Sequence, residues 1–565
     1  MNHRHFRAAR HTRAALLPLL LAAAVAQAGE REDLQALRNT TLNLIDALVA
    51  RGVLGRAEAD ALVAAAEKKA ATSVAEESIA SAPASASAKT LHVTYIPQTL
   101  REDLRADVRA NLRDDVVKEV KAQARQEQWG VPAALPEWLN RFSLNGELRL
   151  RFENAAFGSD NQPYSYLDWP AINKAGGLTN AGSNAFLDTT DNRSRLRERV
   201  ALGIDAKVAE GLKAAIRLAT SNDKSPISTN QTLGQTGQSY DIVLDRAFLR
   251  YDYLDRRGYD AFTLWGGRTE NPWFSTDNVF DTDLSFEGVA TTLRYGLGRN
   301  APAGDSTAGS SAATWGFTQP RSLYLTLGGF PLQEVARSPH DKWLLGAQAG
   351  IDWGFADGSR LKFGIAYYDY INTRAEPNAL GSRDNDYSAP QYFTKGNSVA
   401  RISNDVGEDS SNPRLVGLAA DFDIVDLTVA YDFARLAPAH VILTADYSKN
   451  IGYDRAEILR RTGTDIAERS AAYQLRLDVG YPKVRRLYEW NVFLNYKYLQ
   501  RDSVLDAFTD SDFHLGGTDT KGWSIGGNYG IADNTWLTGK WTSAESIDGP
   551  PLGIDVLLLD LNTRF

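Results

Sequence analysis

Cysteine is absent from all 565 residues, so no disulfide staples the fold. Histidine is scarce: beyond the first 28 residues only His92, His340, His440 and His514 occur, with none of the spacing that holds a metal. Gly266-Gly267 lacks the spacing of a phosphate loop. These absences argue against an enzyme and imply no catalytic residue, metal or cofactor. No stretch after the N-terminus approaches the roughly 18 to 20 apolar residues of a membrane helix, so any membrane domain must be made of strands.

What is present begins with an export signal. Arg4, Arg7, Arg10 and Arg13 precede an apolar core from Ala14 to Ala26 and an Ala26-Gln27-Ala28 cleavage site. Removing residues 1–28 takes away four Arg and no acid, moving the formal charge from −8 to −12 and arguing against nucleic acid as a partner. Aromatics make up 10% of the chain, with 23 Tyr and 12 Trp. Transmembrane barrels collect such rings at both interfaces, although a carbohydrate-binding sandwich is equally rich in them.

Two patterns divide the rest. Residues 29–75 read as a helical hairpin that turns at Gly52 and Gly55, residues 76–97 as an Ala/Ser-rich linker, and residues 98–138 as a second helical segment. In that segment Leu100, Leu104, Val108, Leu112, Val116 and Val120 recur every four residues, a spacing that drifts around a straight helix and gives no regular coiled coil. A solvated helix with one apolar stripe and an oligomerising helix both fit.

From Arg141 the period becomes two. Phe142, Leu144, Gly146, Leu148, Leu150 and Phe152 alternate with Arg141, Ser143, Asn145, Glu147, Arg149 and Arg151, as in a half-buried strand. Candidate strands begin near residues 141, 194, 211, 241, 261, 284, 321, 342, 360, 414, 439, 471, 487, 521, 534 and 554. Long connections follow the odd strands and mostly short ones the even strands, the asymmetry of an outer-membrane barrel whose two ends lie in the periplasm. The segments at Gly298 to Pro320 and Leu415 to Phe433 leave counts of 14 and 18 open. The last strand should run down to the periplasmic rim and close the barrel against Phe142 to Phe152. Leu557, Leu559, Leu561, Thr563 and Phe565 share its lipid face, and Val556 and Leu558 fall on the inward face, where a wet wall would carry polar residues.

The candidate site is the wall of the lumen. Arg149, Arg151, Arg195, Arg197, Arg199, Lys213, Arg217, Arg246 and Arg250 hold the polar phase of their strands. Facing lipid at the midplane, each would cost about 2 to 4 kcal/mol, so they must face water. The connection Thr269 to Asp283 brings Glu270, Asp277, Asp281 and Asp283. Folded inward, these carboxylates would oppose the basic wall across a constriction. The competing expectation pairs the arginines with Glu147, Glu153, Glu198 and Asp205, merely filling the barrel. Asp281 and Asp283 read better as solvated or calcium-binding carboxylates than as an acid/base pair.

The run from Trp265 to Ala290, centred on Asn271-Pro272-Trp273-Phe274, resembles the central motif of a porin family of Gram-negative bacteria. Val93 to Pro97, Pro136 to Phe142 and Leu44 to Leu54 are similar to that family as well. The resemblance implies an outer-membrane all-β antiparallel barrel of about 16 strands over residues 139–565, preceded by periplasmic helices. Phe565 resembles the signal read by the barrel assembly machinery. The resulting expectation is a passive diffusion channel for small hydrophilic solutes, favouring anions and assembled as a homo-trimer in outer-membrane lipid. The rival expectation is a structural protein whose helices tether the membrane to a periplasmic partner.

Overall fold

The computed structural model describes residues 141–221, 225–254, 260–297, 321–408 and 412–565. The signal segment, the hairpin at 29–75, the linker at 76–97, the helical segment at 98–138 and the insertion at 298–320 lie outside the described residues.

Sixteen strands form a single antiparallel barrel. They are β1 (Phe142–Phe157), β2 (Arg193–Ala209), β3 (Leu212–Ser221), β4 (Asp241–Leu254), β5 (Asp260–Glu270), β6 (Ser285–Gly296), β7 (Arg321–Gln333) and β8 (Lys342–Gly354), then β9 (Arg360–Ile371), β10 (Phe422–Phe433), β11 (His440–Asn450), β12 (Ala471–Gly480), β13 (Trp490–Leu499), β14 (Thr520–Ala532), β15 (Thr535–Ser546) and β16 (Gly553–Arg564). Each pairs with the next, and β16 pairs with β1, so the sheet has no free edge. The two-residue strand Gln231–Thr232 adds a short pairing to the upper part of β2.

Closure occurs higher on β1 than the sequence pattern suggests. β16 pairs with Glu147 to Phe157, because β1 continues past Phe152. Phe565 then exchanges both backbone hydrogen bonds with Gly146, at 2.9 and 3.1 Å, and its ring lies over that glycine. A Cβ at position 146 would come within 2.4 Å of the ring.

The alternation of apolar and polar residues becomes an alternation of outside and inside. On β16, Leu557, Leu559 and Leu561 are exposed on the outer surface, whereas Asp560 and Asn562 are buried toward the lumen. Exposed aromatics gather at the two strand ends: Phe142, Tyr251, Tyr295, Tyr431, Trp490 and Tyr529 near the short-turn end, and Trp343, Tyr367, Tyr447, Tyr473 and Trp523 near the long-loop end. These are the two girdles of a barrel in lipid.

The strand placed near residue 414 is corrected by eight residues, since the barrel strand begins at Phe422. Val416–Leu418 pairs instead with Val399–Arg401 in a separate two-stranded sheet within the long connection 372–421. Residues 416–420 are buried throughout, so their apolarity serves packing among loops and meets no lipid.

Candidate functional site

The connection 271–284 leaves the top of β5, enters the barrel and packs on the wall formed by β7 to β9. Trp273, fully buried, meets Tyr368 and Phe330 edge-on, with ring centroids 5.4 and 6.1 Å apart. Gly346 allows this approach, since a Cβ there would lie 2.7 Å from the indole. Gln348 of β8 clamps the backbone of Phe274, its Nε2 donating to the carbonyl at 2.7 Å and its Oε1 accepting from the amide at 2.8 Å. Phe280 stacks edge-on against Phe286 and Tyr368. The connection 500–519 completes the packing: Phe508 lies against Tyr370, and its carbonyl accepts from the Asp281 amide at 2.7 Å.

This packing leaves two cavities. The lower one, about 680 Å³, lies toward the short-turn end and is lined by Arg149, Arg199, Arg217 and Arg246 on one side and by Arg476, Asp478 and His440 across from them. Lys483, Arg485 and Arg564 stand at its mouth. Its described lining carries eight Arg or Lys against five carboxylates. The upper cavity, about 900 Å³, lies under the long loops and includes Lys174, Arg195, Arg197 and Lys342 together with Tyr392, Phe393 and Phe508.

The nine basic residues are therefore divided. Arg149, Arg199, Arg217 and Arg246 line the lower cavity, and Arg195 and Arg197 the upper. Arg151 lies between them on the same face of β1, buried by a bidentate pairing with Asp560 at 2.8 and 3.0 Å and a second contact, 2.8 Å, to Asp512. Arg250 pairs with Asp252 at 2.9 Å and lies over Trp265 near the short-turn end, where Lys213 is its cross-strand neighbour.

The four acidic residues do not act as one rank. Glu270, the last residue of β5, pairs with Arg246 at 3.1 Å. Asp283 meets Arg199 directly at 2.9 Å, while Asp277 turns to the far wall and pairs with Lys497 at 3.0 Å. Asp281 is buried and accepts from the amides of Asp283 and Ser511 at 2.7 and 2.8 Å. Burial raises the Asp281 carboxyl, and the charges of Asp283 and Asp510 raise it further. At Asp283 burial acts in the same direction, but Arg199 and Arg149 outweigh it and hold the carboxyl below its usual value.

Of the competing partners, Glu147 takes Arg199 at 3.1 Å and Glu153 takes both Arg195 and Arg197. Glu198 lies in the outward phase of β2, and Asp205 accepts from Asn145 at 2.7 Å. One lumen residue escaped the period-two reading. A bulge in β4 turns both Asp245 and Arg246 inward, and the buried Asp245 receives Arg217. Arg476, Asp478 and Lys497 were legible by the same alternation, applied to β12 and β13.

The inward Val556 and Leu558 are covered. They pack with Ala155, Leu552 and Ile554, and His514 of the connection 500–519 bonds the Leu552 carbonyl at 2.9 Å.

A family described as "Putative porin" matches residues 38–565. Among solved structures, the chain is similar to Pseudomonas putida OprB at high pH, with 12% identity, a TM-score of 0.40 and coverage of 78% of this chain and 97% of that one. The outer membrane channel DcaP of Acinetobacter baumannii gives 12% identity and a TM-score of 0.36 over 75% and 97% of the two chains. Salmonella typhi OmpF in complex with daunomycin gives 10% and 0.37 over 75% and 97%. No curated protein matches.

Proposed function

The chain belongs to this porin family of the outer membrane, and from that premise we propose that its lumen is a passive path for small hydrophilic solutes that favours anions. The observation that carries the reading is the lining of the lower cavity, where eight basic groups meet five acidic ones in a narrow space with low-dielectric walls. Such walls focus the field and raise the local concentration of the counter-charged solute. Each pair of Arg with Glu or Asp removes a charge from this balance, and Arg564 lies 3.7 Å from Glu147, so the surplus resides at Arg149 and at Lys483 and Arg485 of the mouth.

A planar bilayer with a tenfold KCl gradient tests both parts. Discrete conductance steps with a reversal potential of anionic sign are expected. Absence of steps would sink the channel, while a cationic potential would sink the selectivity and leave the channel standing.

Family membership also supports three neighbouring copies, checked by native mass after detergent extraction. β1 enters the barrel at the short-turn end, which supports a periplasmic place for residues 29–138. Deleting residues 30–128 and recording again tests whether they assemble or tether. Phe565, joined to Gly146 at the barrel seam, is the proposed assembly signal. Phe565→Ala should lower the yield of folded barrel in outer membranes and leave the conductance of the assembled fraction unchanged.

A further inference from the structure

Beneath the lumen loop, β10 and β11 present four inward side chains in a square. Asp426 lies opposite Ser448, and Thr428 opposite Asp446. All four are buried, and among the described residues neither carboxylate has an ion-pair partner. This differs from the other lumen carboxylates described above, nearly all of which meet an Arg or Lys.

The hydrogen bonding of the square does not close. Thr428 Oγ1 lies 3.2 Å from an oxygen of each carboxylate, and Ser448 Oγ lies 3.1 and 3.2 Å from the other two. A hydroxyl carries one proton, so two of these four approaches set oxygen against oxygen unless a cation or a carboxyl proton lies between them. All four exceed the roughly 2.7 to 2.8 Å typical of O–H···O bonds. Two further oxygens border the square. Asn278 of the loop, fully buried, places its Nδ2 3.5 Å from Asp446 Oδ1, and its own Oδ1 has no hydrogen-bond partner in the protein. Tyr368 Oη is likewise buried without a partner, and the carboxylates acting on it are Asp426 and Asp446. A half-turn of the Asn278 amide would present its oxygen to the same carboxylates, an arrangement that a cation between them would favour.

We propose that a calcium ion binds between Asp426, Asp446 and Asn278 and rivets the lumen loop to the barrel wall. The donor set is entirely oxygen: two carboxylates, an amide carbonyl and hydroxyls. That chemistry suits a hard cation and disfavours zinc or copper. Two carboxylate charges match a divalent ion, and calcium tolerates the irregular six to eight oxygens that side chains from two strands and a loop supply. The ion would tie Asn278, between the anchors Trp273 and Phe280, to a wall that the loop otherwise touches through apolar contacts and Gln348.

The test uses full-length protein in detergent, stripped with EDTA and titrated calorimetrically with CaCl2, beside Asp426→Asn/Asp446→Asn and Asn278→Leu. Wild type should bind one ion per chain at this site, with affinity falling about tenfold or more in either variant. In EDTA the double variant should melt no lower than wild type, because it removes two unneutralised buried charges. This second readout separates loss of a ligand from failure to fold. Identical calcium isotherms in all three proteins would place the binding elsewhere and overturn the proposal. So would a wild type that binds no calcium, since the carboxyls would then share a proton.

Discussion

The two sides of the lumen are written in the same alternating pattern and end in opposite conditions. On β1 to β4 charged inward residues, among them Arg149, Arg199, Arg217 and Arg246, line the two cavities. On β7 to β10 they include Phe330, Leu344, Tyr368, Tyr370, Phe422 and Ile424, all fully buried beneath the lumen loop and the long connections above it. Alternation thus separates lipid from lumen without saying whether the lumen is wet. One side offers a field to solutes, and the other supplies the anchorage that holds a charged loop in front of that field.

If that division is right, damage to the two sides should be felt differently. The largest effect on stability belongs to Trp273→Ala, which empties a fully buried site between Phe330 and Tyr368. A loss of about 3 to 5 kcal/mol is expected in denaturant unfolding, as for other buried Trp-to-Ala truncations. Open-channel current noise should rise as the loop loosens. A variant as stable as wild type would show that the apolar side does not hold the loop.

The charged side should yield in selectivity with little change in unfolding. Arg149 makes only long contacts, 3.3 Å to Asn562 and 4.0 Å to Asp560, and Asp560 keeps Arg151 when Arg149 is removed. Replacing Arg149, Lys483 and Arg485 by Gln leaves five basic groups against five acidic ones in the lower lining. The anion preference measured by reversal potential should then disappear. Asp512→Asn is expected to act between the two extremes. It removes one of the two partners of the buried Arg151, which retains Asp560, and a loss of about 1 to 3 kcal/mol should accompany altered conductance.

How much of this was legible in the sequence follows the same division. Strand order, closure and the inward phase of Arg149, Arg197 and Arg217 were readable, because lipid on one face forces a period of two. The exceptions have local causes. The bulge at Asp245 shifts the phase by one residue, and the apolar run at Val416 to Ala420 imitates a strand while serving loop packing. The pairing of Asp277 with Lys497, and of Asp512 with Arg151, joins a loop to a strand far along the chain, and no local pattern encodes such contacts. The inward Val556 and Leu558 were one sequence sign that loops enter the barrel.

The pH-dependent effect concerns the cover over the apolar side. Asp506, between Leu505 and Ala507 of the buried cluster, is itself buried, with Oδ1 lacking a hydrogen-bond partner in the protein. Burial pushes its carboxyl up to about 7. The native state therefore keeps a proton that the unfolded chain releases near pH 4, and this group's contribution falls as the pH rises from about 4 to 7. His514 works in the opposite sense. Burial holds its imidazole down at about 3, so its contribution falls as the pH drops from about 6.5 toward 3. The wild-type profile sums the two, and Asp506→Asn isolates one. Because asparagine cannot ionise, the variant should melt above wild type at pH 8 and gain less at pH 5. A larger gain at pH 5 would mean that the Asp506 carboxyl is not the group that loosens this cover. Arg149→Gln, on the charged side, should show no such pH dependence over the same interval.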